Sequence, residues 1–162
     1  MARSPIIAVI GGQRPPPEDL PLAEEVGRRI AASGAVLVCG GLEGVMEAAC
    51  RGAKSAGGLT IGILPGGDKA AANPYVDVPV VTALGTARNV IVVRTADAII
   101  AVDGAFGTLS EIAHALDQGK RVVALRSWDL TKVGVPADRI LTAKTAEEAV
   151  RLALAEASRP QP

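Results

Sequence analysis

Aromatic residues are nearly missing from this sequence. Tyr75, Phe106 and Trp128 are the whole set in 162 residues. The core must therefore be built from Val, Ile, Leu and Ala, and the row of aromatic platforms on which single-stranded nucleic acid stacks is absent. Histidine is limited to His114, and Cys39 and Cys50 form neither a disulfide framework nor a CxxC pair. No metal site is expected. Neither sign of charge is in surplus, because 17 Lys and Arg balance 17 Asp and Glu and the pI is near 6.6. That argues against a basic nucleic-acid binder. No apolar stretch approaches the ~18 residues of a membrane span. Met1-Ala2-Arg3-Ser4-Pro5 runs into a short strand rather than a signal-peptide core. These absences predict a cytoplasmic, soluble protein with no nucleic-acid and no membrane partner.

What is present is 49% hydrophobic, too apolar for a disordered chain. Its length suits one domain. Short β-branched runs alternate with segments of helical period. Ile6–Ile10 reads as a buried strand closed by Gly11-Gly12. A helix follows from Asp19 as N-cap, with Leu22, Val26 and Ile30 on one face. Ala35–Val38 is the second strand. A helix from Gly44 carries Val45, Ala48, Ala49, Gly52, Ala53 and Ala56 as an apolar stripe of small residues. Strands are predicted at Leu59–Leu64, Pro79–Thr82, Ala98–Val102 and Val122–Leu125, and helices over Thr86–Ala96 and from Thr108. The last of these places Leu109, Ile112, Ala113 and Leu116 on its inner face. Thr86–Ala96 is apolar nearly all round, which predicts a subunit interface and a homodimer or homotetramer. Thr145-x-x-Glu148 is a capping box for a final helix. The alternation predicts an α/β fold: a single-domain, doubly wound (Rossmann-like) parallel sheet with helices on both faces, spanning 1–157, with a frayed tail at 158–162.

Parallel strands put their carboxyl ends on one edge, where such sheets bind ligands. Gly11-Gly12, Gly40-Gly41-x-x-Gly44, Pro65-Gly66-Gly67 and Gly104-x-x-Gly107-Thr108 would share it. Glycine admits an anion close to backbone N–H groups, and a helix N-terminus adds unpaired donors. The loops at Gly44 and at Gly107-Thr108 open helices and are phosphate-site candidates. The dinucleotide fingerprint is absent, because Gly11-Gly12-Gln13-Arg14 meets three prolines that have no N–H. A P-loop is absent as well.

At Gly40-Gly41-Leu42-Glu43-Gly44 and at Asp103-Gly104-Ala105-Phe106-Gly107-Thr108-Leu109-Ser110-Glu111 the chain resembles the Lonely guy (lysine decarboxylase-like) phosphoribohydrolases and their smaller relatives, which include the molybdenum cofactor carrier protein. Gly57–Gly66 and Gly85-Thr86-Ala87-Arg88-Asn89 belong to the same likeness. In the hydrolases the motif P-G-G-x-G-T-x-x-E holds a 5′-phosphate, and its Glu works with an Arg from an earlier helix. The resemblance thus implies Arg88 and Glu111 as catalytic residues. It implies ligand contacts at Gly11, Gly40, Gly41, Gly44, Gly66, Asp103, Gly104, Ala105, Phe106, Gly107 and Thr108. The implied reaction splits nucleoside 5′-monophosphates into base and ribose 5-phosphate through an oxocarbenium-like transition state. No cofactor is required by it; a phosphorylated small molecule, either a nucleotide or bound molybdenum cofactor, is the expected ligand.

Asp103 and Ala105 depart from the motif, standing where it has Pro and Gly. A carboxylate ~4 Å from a phosphate charge costs about 4 kcal/mol at an effective dielectric of ~20. Asp103 either points away or accepts hydrogen bonds from an amino-substituted heterocycle such as a pterin. The departure and the short chain favour the carrier-like alternative, a non-catalytic carrier or sensor. The intact Gly107-Thr108-x-x-Glu111 favours the hydrolase. Without the motif, Glu111 would read as a solvated helix-start residue and Arg88 as a surface cation.

Overall fold

Residues 3–160 are described by a computed structural model. Seven strands form one sheet: β1 (Ile6–Gly11), β2 (Val36–Cys39), β3 (Thr60–Leu64), β4 (Val78–Val81), β5 (Ala98–Val102), β6 (Val122–Leu125) and β7 (Ile140–Ala143). All neighbouring pairs are parallel, in the order β4-β3-β2-β1-β5-β6-β7. The helices are α1 (Asp19–Ala32), α2 (Val45–Ser55), α3 (Asn89–Thr95), α4 (Phe106–Asp117) and α5 (Ala146–Ala157).

The period of 2 along each strand divides the core in two. Ile7 and Val9 join Leu37, Ile100 and Val102 beneath α1, α2 and α5. Ala8 and Ile10 join Val38, Ile99 and Ala101 beneath α3 and α4. Central strands buried on both faces have no polar side to show, which is why they read as unbroken apolar runs. The doubly wound Rossmann-like sheet predicted from the alternation is the one found.

Helices α1 and α2 pack almost backbone to backbone. A Cβ on Gly27 would lie 1.8 Å from the Ala49 carbonyl oxygen, and one on Gly52 would lie 1.8 Å from that of Glu24. Arg51 then bridges the pair, donating from Nη2 to Glu24 at 2.9 Å.

Several local expectations need correction. Asp19 is not an N-cap: it is the first residue of α1, 1% exposed. The preceding prolines do the capping, because Asp19 N–H donates to the Pro16 carbonyl at 2.9 Å and Leu20 N–H to that of Pro17 at 3.3 Å. The helix predicted over Thr86–Ala96 begins as a 3-10 turn, Gly85–Arg88, and becomes α-helical only from Asn89. Its C-terminal carbonyls are closed by Lys120, whose Nζ donates to Val93 at 2.7 Å and Ala96 at 2.6 Å. Helix α4 starts at Phe106, two residues early, and its buried residues are Thr108, Glu111, Ile112 and Ala115, with Ala113 exposed. Strand β7 was not foreseen. The capping box is present, with Glu148 N–H donating to Thr145 Oγ1 at 3.1 Å. Ser158 Oγ donates to the Leu154 carbonyl at 3.0 Å, and residues 161–162 of the proposed tail lie outside the described residues.

Candidate ligand-binding site

Strand order reverses between β1 and β5. Chain leaving β1 turns to one side of the sheet and chain leaving β5 to the other, so a crevice opens beyond their carboxyl ends. A cavity of roughly 720 Å³ lies there. Its walls are the β1–α1 loop (Gly11 to Arg14, and Pro16), the β5–α4 turn (Asp103 to Ala105), the first turns of α4, and Thr86, Arg88 and Asn89. Among the described residues, no group of three or more His, Cys, Asp or Glu is placed to hold a metal.

The start of α4 lies at this cavity. Ala105 precedes it in an extended conformation and no side chain caps it. The first N–H groups of a helix have no intrahelical partner, so those of Phe106, Gly107 and Thr108 remain for a ligand. Thr108 is 2% exposed, and its Oγ1 is buried without a hydrogen-bond partner. Because the helix begins at Phe106, Thr108 is not its cap.

Arg88 and Glu111 face the same cavity from different helices and are both buried. Arg88 Nη1 donates to Asn89 Oδ1, and Nη2 donates to the Gly40 carbonyl at 3.4 Å. Its Nε is buried and unpartnered. Burial pulls the Arg88 pKa down and Glu111 counters this only in part. Burial pushes the Glu111 pKa up to about 8, against the attraction of Arg88. Glu111 therefore carries its proton at neutral pH, and neither residue is the solvated cation or anion that an isolated surface position would give.

Eight of the residues expected at the site line this cavity: Arg88, Glu111, Gly11, Asp103, Gly104, Ala105, Gly107 and Thr108. Five do not. Gly44 does not line the cavity, and the first N–H of α2, that of Val45, donates to the Gly12 carbonyl at 3.0 Å. Gly44 has φ +70°, and a Cβ there would lie 2.4 Å from the Gly12 and Gln13 carbonyl oxygens, so it serves loop packing. Gly40 stands behind Arg88, where a Cβ would come 2.8 Å from Nη2. Gly41 packs on Leu64 and Gly62, and Gly66 is exposed with open space around it. Phe106 is 82% exposed, its ring 6.5 Å from that of Trp128.

Asp103 lines the cavity, but its Oδ2 is turned toward Gly12, 2.9 Å from where a Cβ of that glycine would stand. Its backbone has φ +54°, and Ser127 Oγ donates to its carbonyl. A proline, locked near φ −65°, cannot adopt this turn. The substitution of the hydrolase motif's proline therefore accompanies a different backbone path into α4.

Sequence reasoning missed Asn89. It is 3% exposed, lines the cavity and holds Arg88. The signal lay in its place directly after Arg88, in a segment singled out only for its likeness.

Residues 4–159 match the model of the SLOG cluster4 family. The chain belongs to that family. A solved relative, the molybdenum cofactor binding protein from Rippkaea orientalis, is 41% identical with TM-score 0.88, covering 96% of this chain and 98% of that one. The molybdenum cofactor carrier protein from Chlamydomonas reinhardtii is 36% identical with TM-score 0.83, over 94% and 99%. A cytokinin riboside 5′-monophosphate phosphoribohydrolase from Mycobacterium marinum is 35% identical over 121 residues, 69% of this chain and 65% of the relative. This SLOG cluster4 chain is thus similar in fold and sequence to the molybdenum cofactor proteins, and in sequence to part of the hydrolase.

Proposed function

We propose that the protein binds a phosphorylated heterocyclic small molecule in the β1/β5 cavity and carries it without turning it over, the ligand being of the phosphorylated pterin type found in molybdenum cofactor. One observation carries the proposal: the uncapped start of α4 opens into the cavity with the buried Thr108 hydroxyl unpartnered. Backbone N–H groups, a hydroxyl and the Arg88 charge suit a phosphate. Asp103, aimed away from that end toward Gly12, suits the N–H and amino edge of a heterocycle. The likeness to the two molybdenum cofactor binding proteins, over nearly the full length, supports the same choice. The Thr86–Ala96 segment expected to form a subunit interface buries Val92 and Val93 in the core instead; exposed Val78, Val80, Val81 and Leu84 support the homodimer or homotetramer expected from the sequence.

The second reading is N-glycosidic hydrolysis of a nucleoside 5′-monophosphate. Arg88 and Glu111 share the cavity, and a Glu111 that keeps its proton at neutral pH can donate to a departing base. Incubation with the common nucleoside monophosphates decides between the two. The carrier predicts no ribose 5-phosphate, together with a phosphorylated pterin released on denaturing protein purified from a cofactor-producing host. Ribose 5-phosphate formed by the wild type and not by Glu111→Ala would establish the hydrolase instead.

A further inference from the structure

We propose that Asn89 is a ligand-binding residue of this cavity: its side-chain oxygen fixes Arg88, and its amide N–H groups are donated to an oxygen of the bound ligand. The inference rests on the cavity being the ligand site and adds a contact that the motif likeness does not assign.

The orientation of the amide follows from its neighbour. A guanidinium has donors only, so the Asn89 atom facing Arg88 Nη1 must be the oxygen. The nitrogen is then on the other side of the amide, in a residue that lines the cavity. Asn89 is 3% exposed. Around it, Arg88 Nε and Thr108 Oγ1 are buried and unpartnered. Donors gather here from α3, α4 and the turn before α3. The complement of such a group is an oxygen-rich anion, as a phosphate monoester supplies.

A purely structural Asn89 would serve only to hold Arg88, and two substitutions separate the roles. Asn89→Asp keeps an oxygen for Arg88, loses the donor and adds a charge, so uncharged guanosine is measured beside the monophosphate to separate the lost donor from repulsion. Asn89→Leu loses both oxygen and donor. Binding of inorganic phosphate and of guanosine 5′-monophosphate is measured by calorimetry for each, with thermal melting as the check on folding. Both variants are expected to bind the monophosphate at least tenfold more weakly than the wild type, about the effect of one hydrogen bond to a charged group, while Asn89→Asp melts within a few degrees of the wild type. Wild-type affinity in Asn89→Asp means that the oxygen alone matters and overturns the inference, as does wild-type affinity in Asn89→Leu. A wild type that binds neither probe overturns the ligand-site reading itself, and this inference with it.

Discussion

Arg126 Nε lies 2.8 Å from Asp19 Oδ1, which ties the loop after β6 to the first turn of α1. The pair is unequal, with the Asp19 side chain 2% exposed and that of Arg126 55% exposed. It braces the β1–α1 loop, one wall of the cavity, and Arg126 takes a left-handed φ of +55° to reach it.

Removing Arg126 leaves a buried carboxylate without its cation. Arg126→Ala is expected to cost about 1–3 kcal/mol, less than for a fully buried pair because half of the arginine is in water. Burial already raises the Asp19 pKa against the pull of Arg126. Losing that pull raises it further. A carboxyl whose folded pKa is raised contributes stability below its unfolded pKa and loses it as pH rises through the folded value. The deficit of the variant should therefore grow from acid to neutral pH in urea melts. An equal deficit at all pH values would contradict the account.

Thr108 tests the anion end of the cavity. Its buried, unpartnered hydroxyl contributes nothing to the ligand-free fold. Thr108→Val should leave the melting temperature unchanged or slightly raised, yet weaken phosphate-monoester binding by about tenfold. A variant that loses stability and keeps affinity would show the hydroxyl to be structural.

Glu111 gives a pH signature. Its pKa of about 8 exceeds the ordinary 4.5, so its contribution to stability is complete below about 4.5, declines as pH rises and is lost above about 8. Glu111→Gln replaces it with a group that does not titrate. Its melting temperature should equal that of the wild type in mild acid and exceed it at pH 9, by an amount worth up to a few kcal/mol. Anion binding by the wild type should weaken above pH 8, as Glu111 ionises beside the ligand, and that by Glu111→Gln should not. Parallel pH curves for the two proteins would remove Glu111 from the cavity's electrostatics.

The layered sheet was legible because buried parallel strands must be continuously apolar, as Ile6–Ile10 and Ala98–Val102 are. Strand β7 was not, because Ile-Leu-Thr-Ala is an edge strand of four residues after a polar loop, and its β-sheet character comes from pairing with β6. The grouping of Gly104, Gly107 and Thr108 at one cavity was legible, because glycines and a helix start mark the turn after β5. The site was misread at Gly44, whose glycine answers to a neighbouring loop rather than to a ligand. Burial of Glu111 and Thr108 also escaped the helical wheel. The inner face of α4 mixes polar site residues with Ile112 and Ala115, so its apolar residues alone pointed the face wrongly.

The account depends on a phosphate resting at the start of α4. A crystal of the protein grown with guanosine 5′-monophosphate measures that directly. Phosphate oxygens should accept hydrogen bonds from Gly107 N–H and Thr108 Oγ1, with Asn89 Nδ2 and Arg88 in the same cavity. Density for the phosphate in the basic cleft at the opposite edge, beside Lys120, Arg121 and Arg159, with none at α4, would contradict it.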